Sequence, residues 1–141
     1  MGKNAVIIIT IPDKLPSLNE YVKACRTNAH AGNKMSREAH YLCRLGMLRH
    51  HGKTLNRVHI TFKWFEKNKR RDKDNVAFAK KFILDALQEE KIIKNDGWHE
   101  IEGFTDEFYI SKENPHVEVI LKEMKEGMRN EETARKMRKN L

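Results

Sequence analysis

Apolar residues alternate through the middle of the chain, with Val58, Ile60, Phe62 and Trp64 on one side of the stretch Arg57 to Phe65. That period of two predicts a half-buried strand. From Val76 the spacing changes to three and four, through Ala79, Ile83, Ala86 and Leu87. This predicts a helix to about Glu90, opened by Asp74 or Asn75 as its cap. Between the two patterns, Lys67 to Asn75 carries no apolar side chain at all.

The flanking segments follow the same rules. The apolar run Ala5 to Ile11 stops at Pro12 and reads as a buried strand. Ser17-Leu-Asn-Glu20 has capping-box spacing, so a helix is expected over Leu18 to about Arg26. Asn28 to Asn33 reads as a loop. A second helix is expected from near Ser36 to about His50, with Ala39, Leu42, Cys43 and Met47 inward and Gly46 against it. Ile92 and Ile93 form a short apolar patch, Asn95-Asp-Gly97 is a turn, and Trp98 reads as a core anchor. A strand pair is expected over Gly103 to Ser111 and His116 to Lys122, separated by Glu113-Asn-Pro115.

These elements describe an α+β fold, a mixed sheet packed with helices. It forms one domain over residues 1–122, followed by a charged tail, 123–141, expected as an exposed helix or a frayed end. From Lys122 onward there are seven basic and four acidic residues, +3 of the chain's +8. One domain also suits a length of 141 residues.

Charge narrows the function classes. A net charge of +8 and a pI near 9.5 favour a polyanionic partner. An apolar fraction of 39% and a mean hydropathy of -0.76 predict a soluble chain. Ala5 to Ile9 is too short to span a bilayer, so no membrane partner is expected. Two cysteines, Cys25 and Cys43, make no disulfide framework, and a reducing cytoplasm is the expected setting.

The chemistry concentrates in the basic segment. Seven Lys or Arg lie from Lys67 to Lys81, yet Asp72 and Asp74 sit among them. In an extended segment residues i and i+2 share a face, so the two carboxylates would converge. Such a pair suits Mg2+, and the cations Lys67, Lys69, Arg70, Arg71, Lys73 and Lys80 suit a phosphate chain. At about 100° per residue, Asp74, Lys81 and Asp85 would fall on the helix face opposite the apolar stripe, whereas Lys80 flanks that stripe. Asp96 offers a third carboxylate. Asp72, Asp74 and Asp96 as metal ligands, with Lys81 steadying charge on a phosphoryl group, form a minimal phosphodiester hydrolase. The plainer alternative is a basic DNA-binding module in which Asp74 caps a helix and Asp96 makes a turn. Cys25, His30, His40 and Cys43 have no zinc-module spacing, and no glycine-rich phosphate loop or serine elbow occurs.

Arg71-Asp-Lys-Asp-Asn75, Lys81 four residues before Asp85-Ala-Leu87, and Ile92-Ile-Lys-Asn-Asp96 resemble the RusA-like crossover junction endodeoxyribonucleases, in a divergent phage or prophage form. The resemblance covers most of the chain up to about Lys122. It implies a homodimeric α+β enzyme that resolves four-way Holliday junctions by paired nicks in DNA recombination and repair. It further implies Asp72, Asp74 and Asp96 as ligands of Mg2+, with Mn2+ as a substitute, and Lys81 as the essential lysine. Other branched DNA is the alternative substrate on the same scaffold.

Overall fold

The computed structural model describes residues 5–124. The tail expected over 123–141 lies almost wholly outside the described residues. Four strands, β1 (Val6–Ile11), β2 (Val58–Glu66), β3 (Ile101–Ile110) and β4 (His116–Glu123), form one mixed sheet in the order β1-β4-β2-β3. Among the described residues the helices are α1 (Leu18–Thr27), α2 (Ala29–Met47), α3 (Lys73–Ala77) and α4 (Lys80–Glu89), with a 3-10 turn at Leu48–His50. The α+β class and mixed sheet expected from the sequence are both present. Among the described residues, no helix is long and apolar enough to cross a membrane.

Strand alternation decides which face is covered. On β2 the buried residues are Val58, Ile60, Phe62 and Trp64, as the period of two requires. They join Ile7, Ile9 and Ile11 of β1 and Val117, Val119 and Leu121 of β4 in one core. Ala39, Cys43 and Met47 of α2 and Phe82, Ile83, Ala86 and Leu87 of α4 complete it. Each large side chain taken fully out of water contributes about 2–3 kcal/mol, so this single layer contact carries the fold.

The first two helices differ from expectation at their junction. Ser17 and Glu20 form the capping box, with Ser17 N–H donating to Glu20 at 3.1 Å and Glu20 N–H to Ser17 at 3.2 Å. The loop expected over Asn28 to Asn33 is absent, because α2 begins at Ala29. Asn28 ends α1 through its N–H to Ala24 O and starts α2 by accepting the Ala31 N–H at 2.7 Å. One asparagine thus replaces a loop. Gly46 lies inside α2 because a Cβ there would stand 2.3 Å from the Thr10 carbonyl oxygen of β1. The helix can approach that edge of the sheet only with no side chain at that point.

The last two strands exist as expected but do not pair with each other. β3 runs parallel to β2, and β4 is antiparallel to both β1 and β2. The short Ser111–Pro115 connection therefore passes over the end of β2, where the Ser111 N–H donates to the Glu66 carbonyl at 2.7 Å. A parallel β2–β3 pair needs a crossover, and α3 and α4 supply it. Among the described residues β3 is left as a free edge of the sheet, with Phe104, Tyr109 and Ile110 exposed.

Candidate functional site

β2 delivers the chain to the basic segment at its C-terminal end, and the segment turns there instead of staying extended. Asp72 is the N-cap of α3, and Asp74 lies in the first turn of that helix. Neither Asp74 nor Asn75 is the cap. The Asp72 side chain makes no capping hydrogen bond either, and neither carboxylate is engaged with another described residue. Although the strand geometry expected for them is absent, Asp72 and Asp74 line one cavity of about 600 Å3. Its walls also include Glu66, Lys69, Lys73 and, on the apolar side, Val76, Phe108 and Ile110.

The six cations assigned to phosphate contact divide into two sets. Lys67, Lys69, Arg70 and Lys73 are exposed, and Lys73 lies 5.6 Å from the Phe108 ring centre. Arg71 faces inward: it donates to the Leu15 carbonyl at 2.9 Å, to Glu66 at 3.4 Å, and to Glu20. That guanidinium ties the end of β2 to the β1–α1 connection. Lys80 is also committed, pairing with Asp106 at 2.8 Å and lying over the rings of Phe62 and Phe104.

The helix expected as one piece from Val76 is broken after Ala77. Lys81 N–H bonds Phe78 O and Phe82 N–H bonds Ala79 O, so the ladder tightens to i→i+3 steps. Each such step turns the chain by about 120° instead of 100°, which rotates α4 relative to α3. Tyr21, Phe78 and Phe82 pack mutually at ring separations of 5.6–5.8 Å around this break. Lys81 lies over Tyr21, 5.6 Å from its ring centre, and is not among the residues that line the cavity of Asp74. Asp85 lines a separate hollow with Ser36 and His40.

Asp96 stands elsewhere. Ile93 bridges to Leu55 just before β2, and Val58 is paired with Ile101 at the start of β3. Asp96 lies between these anchors, at the N-terminal end of the parallel pair, while Asp72 and Asp74 follow its C-terminal end. At about 3.3 Å per residue the two ends are roughly 25 Å apart. Consistent with this, no group of three His, Cys, Asp or Glu among the described residues is placed to share a metal ion. Asp72 and Asp74 do share one cavity, and Mg2+ is commonly held by one or two carboxylates together with water and substrate phosphates.

Trp98 overturns its expectation as a core anchor. It is 98% exposed, on the turn that follows Asp96. The anchor of that turn is Arg57, a buried residue whose guanidinium donates to the His99 carbonyl at 2.9 Å. No local pattern distinguishes Arg57, whose carbonyl partner lies far along the chain.

No family model matches the chain, and no curated protein matches it.

Proposed function

We propose that the chain is a Mg2+-dependent, structure-selective endodeoxyribonuclease that nicks four-way DNA junctions. What carries this reading is the pair Asp72 and Asp74, unengaged by any other described residue, in one cavity with Lys69 and Lys73 beside it. Two carboxylates among lysines ordinarily pair with them or cap the helix. Here neither pairs with a described lysine, and Asp72 holds the N-cap position without a side-chain capping bond, which leaves their oxygens available to a hard cation. Bound there, Mg2+ would supply Lewis acidity toward a phosphodiester. The chain's own part is to hold the phosphate backbone through Lys67, Lys69, Arg70 and Lys73 and to orient it toward the two aspartates.

A homodimer gives Asp96 a role. β3 is a free edge, and a second copy added antiparallel to it about a twofold axis would bring the partner's Asp96-bearing turn beside Phe108–Ile110. That is the wall of the cavity holding Asp72 and Asp74. Such a dimer has two composite sites, as two symmetric nicks require. The rival reading, a non-catalytic basic module, gives Asp74 the task of capping a helix, a position held by Asp72.

The test is cleavage of a synthetic mobile four-way junction with and without Mg2+, by the wild type and Asp74→Asn, with binding followed in chelator. Paired nicks that need Mg2+ and vanish in the variant, while binding persists, are expected. Binding without nicks under several metals and junction sequences would overturn the proposal.

A further inference from the structure

Trp98 has no structural task within the described fold. Its side chain is 98% exposed, whereas the other tryptophan, Trp64, is 1% exposed and bonded through its indole N–H to Asp106. The backbone beneath Trp98 is nevertheless fixed. Arg57 donates to the carbonyls of Trp98 and His99 at 3.5 and 2.9 Å, and Ile101 N–H closes the turn onto Gly97 O at 3.0 Å. A rigid stem therefore presents a large aromatic ring to solvent.

The surroundings decide what that ring would meet. Asn95, Asp96 and His99 beside it are exposed and polar, and Lys91 and Lys94 stand exposed on the connection leading to the turn. The core of a protein–protein contact gathers apolar neighbours around its anchor, and none flanks Trp98 on this turn. A base-stacking platform needs only one aromatic face with cations near the backbone path. The net charge of +8 supplies the matching long-range attraction.

We propose that Trp98 is a nucleobase-stacking residue, held by the Arg57-anchored turn, that takes an unpaired or unstacked base at the branch point of DNA. This rests on the nucleic-acid part of the proposed function and adds its recognition element. In the twofold arrangement, Trp98 of one copy stands near the Asp72–Asp74 cavity of the other. The stacked base would then neighbour the phosphate presented to those carboxylates.

The experiment is tryptophan fluorescence in chelator, with wild type, Trp98→Phe and Trp98→Ala titrated with a synthetic four-way junction or a matched duplex. Free wild type should emit as a water-exposed indole accessible to acrylamide. The junction should quench that emission by at least about half and the duplex by less, while the Trp64 emission left in Trp98→Phe stays unchanged. Trp98→Ala should bind the junction about tenfold more weakly, with Trp98→Phe in between and both as stable as wild type. Equal quenching in Trp98→Phe, or unchanged affinity in Trp98→Ala, would overturn the proposal. So would an indole already shielded in the free protein in a concentration-dependent way, which marks a subunit contact. Because no cleavage is read, quenching without Mg2+-dependent nicking keeps the stacking role and sinks the nuclease reading, and nicking without quenching does the reverse.

Discussion

The Lys80 ammonium stands 2.8 Å from the Asp106 carboxylate, whose other oxygen accepts the indole N–H of buried Trp64 at 2.9 Å. Its neighbour Lys81 has no carboxylate partner among the described residues and rests over Tyr21. The two lysines should therefore separate in experiment. Lys80→Ala should lower unfolding free energy by about 1–2 kcal/mol, through the lost pair and ring contacts. Lys81→Ala should change stability by no more than about 0.5 kcal/mol while cutting junction cleavage about a hundredfold. Urea denaturation and single-turnover cleavage read the two effects. If Lys81→Ala cleaves normally, that lysine has no catalytic task.

Asp96 precedes one end of the parallel β2–β3 pair and Asp72 and Asp74 follow the other, roughly 25 Å along the strands, which makes subunit mixing informative. Asp74→Asn and Asp96→Asn should each be inactive alone. Mixed and re-equilibrated, half of the dimers carry both variants, and each of these has one intact composite site. About a quarter of wild-type single-strand nicking should return, without paired cuts. Mixtures as dead as their components would place all three carboxylates within one subunit, and an active Asp96→Asn would remove Asp96 from the site.

Arg71 links α1, the β1–α1 connection and the buried Glu66, so its loss is structural. Arg71→Ala should destabilise the protein by about 2–4 kcal/mol, since Glu66 is left buried without its cation. Lys69→Ala should leave stability alone and reduce the salt slope of DNA binding by about one. The same cluster sets an acid limb. Partial burial pushes the Glu20 carboxyl up, but the Ser17 hydrogen bonds and the charges of Arg71 and Lys14 outweigh it and hold Glu20 below the ordinary 4.5. A lowered carboxyl stabilises the fold above its unfolded value, and that contribution is lost as pH falls through the folded value. The urea-midpoint difference between wild type and Glu20→Gln should thus shrink in acid. A pH-independent difference would remove Glu20 from the limb.

The two thiols should behave oppositely. Burial, with Asp85 nearby, pushes the Cys43 thiol up to about 12, and the residue is fully enclosed. Cys25 is exposed on α1. A thiol reagent at neutral pH should label Cys25 in the native protein and Cys43 only as fast as the protein opens. Prompt labelling of both would contradict the packing of α2 against the sheet.

Local pattern alone determined the strands over Val58–Glu66 and Val6–Ile11, the capping box at Ser17 and Glu20, and the buried stripe of Val76, Ala79, Ile83, Ala86 and Leu87. Each depends on side-chain period or on a hydrogen bond three residues away, and such information is written in adjacent positions. The uncommon placement of Asp72 and Asp74 among cations was legible in the same way. Only the tertiary structure decided the rest. Asn28 replaced a loop because two helices had to turn back on each other, and β4 entered between β1 and β2 because strand order is fixed by long-range pairing. The helix broke at Phe78, among Tyr21 and Phe82, and Lys81 came to rest over Tyr21. Asp96 and Trp98 were carried to the far end of the parallel strands by the crossover that parallel pairing demands. Sequence spacing records which groups are near along the chain, and the distance between an aspartate after one strand and another before the next is set by the fold.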